Sequence, residues 1–423
     1  MSGASLRPAV LAGTVRAPPS KSYTHRALLV AHLGRRPFRI EGPLDADDTR
    51  ASARAIGRLG TRIVRSPGSW EAQPRPLPSS QRPVSIDCRE SGTTLRFVLA
   101  LAALDPRRIT LTGVGRLPGR PIRELVRALR SLGAQSRRRS RSRNLPLEIR
   151  GPIHGGSVTV DASESSQFAS ALLFVLPTRE EDSLLRLVGP IVSRPYIEAT
   201  LEVVRRHGIV VEGDGRRFRI AGGQSYTGRR FAVPGDASSA AGFWVGAAIS
   251  GGRVRVDGID PSWPQADLAI LRILGTAGAT VHRSGRSVTV EAGRRRPFSV
   301  DLTASPDLFP LVGVLAAATP GRSRLRGAAQ IVHKESDRRR ETVRLVRAMG
   351  AGIREGLDVL EIDGRSDPAG VSLPDLSDHR MVMAAAVAAL AGRGRSTVGD
   401  VRAVGKSFPR FWSAWRAVGG MGT

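Results

Sequence analysis

Lysine is nearly absent from this chain: of 65 basic residues among 423, three are lysines, Lys21, Lys334 and Lys406. Asparagine occurs once, at Asn144, and cysteine once, at Cys88. A lone cysteine excludes an internal disulfide framework and fits a reducing compartment. The longest apolar runs, near residues 95–104 and 381–391, are too short and too interrupted to span a bilayer. Residues 1–16 show no charged start leading into an apolar stretch, so no secretory signal is expected. We read the chain as cytoplasmic, with no membrane partner.

What remains is rich in arginine. The two basic side chains differ: lysine is a compact ammonium able to shift its pKa and pass a proton, whereas arginine is a wide, permanently charged fork. In a chain drifted this far toward arginine, the three surviving lysines mark candidate chemical positions. The formal net charge of +28 suits either nucleic acid or small acidic ligands. The densest run, residues 137–143 (RRRSRSR, from Arg137 to Arg143), lies between apolar segments and reads as a solvated hairpin loop. Base-stacking aromatics are missing beside it, which argues against nucleic acid. At this length, two domains are expected.

Self-comparison shows an internal repeat. Glycines 60, 133, 208, 278, 350 and 419 each follow an apolar or helix-ending residue, at steps of 73, 75, 70, 72 and 69. Short polar clusters open into apolar runs at Ser22, Thr93, Ser166, Ser238, Asp307 and His379, at steps of 71, 73, 72, 69 and 72. Two patterns on one beat define a sixfold repeat. Each unit reads as a polar cluster opening an all-apolar helix (168–176 or 381–390), a short strand, an amphipathic helix ended by glycine (122–132 or 341–349), and another strand. The fold class is α/β. We expect one domain over residues 21–233 and another over 1–20 plus 234–423, the first stretch of chain completing the latter. Helix N-termini suit anions, and the polar clusters are expected to line a cleft between the domains.

Each lysine falls in a polar cluster: PSKSYTHR around Lys21, HKESDR around Lys334 and GKSFPRFW around Lys406. The last is no P-loop, because Gly399 precedes Gly405 by six and the flanking strand and helix are missing. Together with ESGTTLRF, LPGRPI, SSQFASALL, SRPYI, GDASSAA and DHRMVMAAA, these strings run in order from Ala17 to Trp412. As a set they resemble the 5-enolpyruvylshikimate-3-phosphate synthase family.

The resemblance implies two domains of three βαβαββ units each, with pseudo-threefold symmetry. It also implies transfer of the carboxyvinyl group of phosphoenolpyruvate to the 5-hydroxyl of shikimate 3-phosphate, in the pathway to chorismate and aromatic amino acids. By resemblance, Lys21, Ser22, Arg26, Ser165, Ser166, Gln167, Ser193, Tyr196, Asp307, Gln330 and Lys334 take shikimate 3-phosphate. Lys21, Gly92, Arg120, Gln167, Arg338, Arg380 and Lys406 take phosphoenolpyruvate. Asp307 would accept the hydroxyl proton, Glu335 would serve the methylene carbon, Lys21 would relay protons and His379 would help position these groups. No metal or cofactor is implied, and the family is usually monomeric.

Some positions depart from the family's common residues: Glu90 and Gln330 where asparagine is frequent, and Thr24-His25 for Ser-Asn. One rival is the related transferase acting on UDP-N-acetylglucosamine, which carries a reactive cysteine on a mobile loop. Here the loop at residues 113–120 has none. The other rival is a basic nucleic-acid-binding protein.

Overall fold

A computed structural model describes residues 3–75, 82–140 and 142–422. The chain divides into two compact units, residues 19–233 and residues 1–18 plus 234–423. The first crossover falls two residues before Lys21, because the Ser20 side chain accepts from the Tyr23 backbone and so belongs to the helix that follows.

In the unit of residues 19–233 the helices are α1 (Lys21–Leu33), α2 (Asp47–Arg58), α3 (Gly92–Ala102), α4 (Arg123–Ser131), α5 (Gln167–Val175) and α6 (Pro195–Arg206). Their polarity sorts them. Helices α1, α3 and α5 are buried along almost their whole length, whereas α4 and α6 bury a single apolar stripe. Helix α5 gives way at Leu176 to one 3-10 turn, since Pro177 cannot continue an α-helical ladder.

Each pair of helices belongs to a four-stranded sheet with one parallel and two antiparallel pairings. In the middle repeat, Val84–Asp87 runs parallel to Ile109–Thr112, which pairs antiparallel with Leu147–Arg150 and that in turn with Gln135–Arg138. The order strand–α3–strand–α4–strand–strand is a βαβαββ unit. The first repeat obtains its parallel strand from the far end of the unit: Arg230–Ala232 pairs with Phe38–Glu41. The arginine run is split by this geometry. Arg137 and Arg138 lie in an edge strand, Arg139 bonds Glu148, Arg143 is exposed, and residue 141 lies outside the described residues.

The other unit contains α7 (Ala237–Ser250), α8 (Ala269–Thr276), α9 (Phe309–Ala317), α10 (Arg338–Ala348), α11 (His379–Ala391) and α12 (Phe411–Ala417). Helices α7, α9 and α11 are the buried ones and pack on one another. The start of the chain supplies two strands rather than one. Ala12–Arg16 runs parallel to Arg253–Asp257, and Ala4–Leu6 pairs antiparallel with Ser396–Val398. The sixth repeat thus has a three-stranded sheet, with residues 4–6 standing where its own hairpin would be.

The repeat's glycine beat has a backbone cause. Gly60, Gly133, Gly208, Gly278, Gly350 and Gly419 all have φ between +77° and +110°, in the left-handed region that ends a helix at little cost only for glycine.

Candidate functional site

The polar clusters sit where the buried helices begin, because a helix start buried among apolar neighbours must satisfy its first N–H groups with side chains. Ser20 caps α1, Ser91 caps α3, Asp236 caps α7 and Asp378 caps α11. Two clusters of functional groups result, one in each unit.

In the unit of residues 19–233 the centre is Arg26, 2% exposed. Its Nη1 donates to Ser22 Oγ at 2.6 Å and to the Ser22 carbonyl at 3.1 Å. Its Nη2 donates to the Tyr196 carbonyl at 2.7 Å and its Nε to Thr200 Oγ1 at 3.1 Å. Every one of these acceptors is uncharged. Burial pulls Arg26 down to about 10, which leaves it cationic at neutral pH. The spacing of Ser22 and Arg26 on one helical face brings their side chains together.

Lys21 Nζ is 3.0 Å from Asp48 Oδ2 of α2. Gln167 accepts from Arg96 Nη1 at 2.8 Å and donates to Thr93 Oγ1 at 3.0 Å, while its backbone N–H donates to Ser165 Oγ at 3.2 Å. Ser165, Ser166 and Ser193 are buried, and Ser193 holds a left-handed backbone (φ +53°). At Gly92 a Cβ would lie 2.6 Å from Arg120 Nη1, so the guanidinium stacks against bare backbone.

In the other unit the centre is Arg338, 1% exposed, and its acceptors are all carboxylates. Nη1 donates to Asp307 Oδ1 at 2.8 Å, Nη2 to Glu335 Oε2 at 2.7 Å and Nε to Asp378 Oδ2 at 2.8 Å. Lys334 Nζ adds a second donor to Asp307 Oδ1 at 3.3 Å. Burial alone would raise Asp307, but Lys334, Arg338 and Arg380 outweigh it and hold the carboxyl well below its usual range. Burial likewise opposes ionisation of Asp378, yet Arg338 and His379 bring it down to about 2. Arg338 is raised: its three acids overcome its own desolvation.

His379 is fully buried, with Nδ1 3.4 Å from Asp378 Oδ1, and Arg380 Nη1 donates to the Ser238 carbonyl at 3.0 Å. Gln330 spends its amide on the Thr303 carbonyl at 2.9 Å. Lys406 ends a 3-10 helix (Val401–Lys406) and is half-buried; against expectation a strand (Ser396–Val398) and a helix (α12) do flank the segment, and the six-residue step from Gly399 to Gly405 is what excludes a P-loop.

Among the described residues no group of three or more His, Cys, Asp or Glu side chains could hold a metal; the acids converge on guanidinium instead. Sequence reasoning missed Asp48, Arg96 and Asp378. The helix-capping place of Asp378 was the one available signal, while the other two are recruited by tertiary contact.

Taken together, buried cations aimed at helix starts, with carboxylates able to exchange protons beside them, define an α/β repeat protein equipped for multiply anionic ligands and acid–base chemistry. The chain belongs to the EPSP synthase (3-phosphoshikimate 1-carboxyvinyltransferase) family, whose model matches residues 7–415. It is 40% identical over 404 residues to the 3-phosphoshikimate 1-carboxyvinyltransferase of Thermococcus kodakarensis, covering 96% of each chain. It is 38% identical over 408 residues to that of Methanocorpusculum labreanum, covering 95% of this chain and 94% of the relative. The EPSP synthase structure from Acinetobacter baumannii superposes with a TM-score of 0.81 at 25% identity, over 100% of this chain and 99% of that one. Among the described residues no helix is long and apolar enough to cross a membrane.

Proposed function

We propose that the protein transfers the carboxyvinyl group of phosphoenolpyruvate to the 5-hydroxyl of shikimate 3-phosphate and releases phosphate, as a cytoplasmic monomer. The observation that carries the assignment of roles is the pairing of Asp307 with Glu335 through Arg338. The addition step needs one proton removed from the hydroxyl and one delivered to the methylene carbon; the elimination step removes a proton from that carbon as the C–O bond to phosphate breaks.

A carboxylate held ionised by three cations fits the hydroxyl, so Asp307 is assigned there and Glu335 to the carbon. Arg26, Ser22, Ser165, Ser166, Gln167, Ser193 and Tyr196 take shikimate 3-phosphate, with Gln330 and Lys334. By the family resemblance, Lys21, Gly92, Arg120, Gln167, Arg380 and Lys406 are assigned to phosphoenolpyruvate. Arg338 serves chiefly to hold the carboxylates, since its donors are committed to them. His379 acts through Asp378.

The UDP-sugar rival asks for a reactive thiol. Cys88 is buried, and burial pushes it up to about 12, so it is no thiolate at neutral pH. The test is phosphate release from phosphoenolpyruvate with shikimate 3-phosphate, against UDP-N-acetylglucosamine as control. Release with the first acceptor only is expected. Release with the UDP-sugar alone, or with neither, overturns the reading.

A further inference from the structure

The segment that carries Arg120 is poor in backbone donors. Leu117–Gly119 forms one 3-10 turn, and Pro118 and Pro121, which have no backbone N–H, bracket Gly119 and Arg120. The two N–H groups between those prolines are used locally. Gly119 donates to the Arg116 carbonyl and Arg120 to the Leu117 carbonyl, each at 3.1 Å. Hydrogen bonds from the rest of the unit can therefore fasten this stretch of backbone only at its carbonyls.

Two residues take three of those carbonyls. Asn144 donates its backbone N–H to the Pro118 carbonyl at 2.7 Å and its side-chain Nδ2 to the Arg120 carbonyl at 2.8 Å. Arg96 donates to the Pro121 carbonyl, with Nε at 3.2 Å and Nη2 at 3.0 Å. A carbonyl can only accept, so the amide nitrogen of Asn144 is the atom that must face Arg120. Asn144 and Arg120 are both buried, and Leu145, 3% exposed, leads from the clamp into the strand Leu147–Arg150. Arg120 in turn lays its guanidinium over Gly92, where a Cβ would lie 2.7 Å from Cζ. The chain's one asparagine thus stands where a short side chain must donate to a backbone carbonyl. An ionised aspartate of the same size cannot donate, and arginine is far longer.

We propose that Asn144 is a positioning residue for phosphoenolpyruvate: it fixes the backbone of Arg120 so that the guanidinium stays seated over Gly92 at the start of α3. The proposal rests on Arg120 binding phosphoenolpyruvate, as assigned above. Asn144 acts through Arg120 and not on the ligand.

The test is Asn144→Ala, which deletes the side-chain donor and keeps the backbone N–H. The KM for phosphoenolpyruvate should rise about fivefold, the effect of losing one hydrogen bond, with kcat and the KM for shikimate 3-phosphate within about twofold. Asn144→Asp keeps the size but turns an acceptor toward the carbonyl; it should raise that KM at least as far, and it reads the same shift should Asn144→Ala not fold. Arg120→Ala should itself raise the KM for phosphoenolpyruvate. In that background the Asn144 substitution should change it less than about twofold, because the group being positioned is gone.

An unchanged KM for phosphoenolpyruvate in the Asn144 variants overturns the proposal. So does an equal rise for both substrates, or a loss of kcat that follows a lowered melting temperature, since each describes a structural role. Failure of both variants to fold has the same meaning. An undiminished effect in the Arg120→Ala background would show that Asn144 works through another group. Failure of the underlying assignment would show separately, as a KM for phosphoenolpyruvate that Arg120→Ala leaves unchanged.

Discussion

Two buried arginines, Arg26 and Arg338, head the two clusters and are solvated in opposite ways. Arg26 is held by two hydroxyls and two carbonyls, so its positive charge is left uncancelled. Arg338 is held by three carboxylates, so its charge is more than cancelled. Burial is equal; function is not. A guanidinium among neutral acceptors is poised to attract an anion, whereas one among carboxylates organises acids. The contrast sets a guanidinium with uncancelled charge in one unit against one that gathers carboxylates in the other.

The contrast can be broken from its acidic side first. Asp307→Ala and Glu335→Gln should each lower kcat by about 10²- to 10⁴-fold, with substrate dissociation constants changed far less, as read by steady-state kinetics beside calorimetric titration. Equal losses in affinity and turnover would move that residue from proton handling to binding.

Next come the arginines themselves. Arg338→Ala removes the cation that three carboxylates share, leaving Lys334 and Arg380 beside Asp307, and should cost about 3–5 kcal/mol of stability in chemical denaturation. Arg26→Ala strands only neutral groups and should cost less stability. Its main effect should be a KM for shikimate 3-phosphate raised well above any change in melting temperature.

Lysine chemistry sharpens the picture. Lys21→Arg places a wide fork where a compact ammonium meets Asp48 at 3.0 Å, so turnover should fall steeply despite conserved charge. Lys334→Arg and Lys406→Arg should mainly raise KM values. Three normally active variants would show that lysine's rarity carries no chemical meaning.

The smallest expected effect is pH-linked. Asp307 and Asp378 have folded pKa values below their unfolded values of about 4, so their stabilisation is complete above about pH 4. It is lost as pH falls from there toward about 2, the value of Asp378. The acceptors around Arg26 do not titrate in that range. Hydrogen exchange at pH 3 should therefore show the unit of residues 234–423 loosening before α1, α3 and α5. Loosening in the reverse order would contradict the contrast between the two arginines.

Much of this was legible in the chain because it is local. The six glycines mark left-handed helix ends, a requirement that acts on one residue and leaves a periodic trace. The buried helices show as apolar runs, and the polar groups at their starts follow from unsatisfied backbone donors. Partnerships across long separations left no such trace. Asp48 meets Lys21 over 27 residues, Arg96 meets Gln167 over 71, and Asp378 meets Arg338 over 40. Gln330, assigned to substrate by resemblance, has its amide on the Thr303 carbonyl, a contact that only tertiary structure reveals. The three-stranded sixth sheet was equally hidden, since residues 4–6 reach it from the opposite end of the sequence.

The parallel pairing of Ala12–Arg16 with Arg253–Asp257 sets a timetable for synthesis. At about 5–20 residues per second, the first strand leaves the ribosome roughly 10–50 seconds before its partner exists. Only near the end of that wait is Arg230–Ala232 made, the strand that completes the first sheet of the unit of residues 19–233. The waiting strand, AGTVR, carries a glycine and a terminal arginine and buries only Val15 once paired. A segment so poorly suited to sticking to other chains is one a nascent protein can leave exposed.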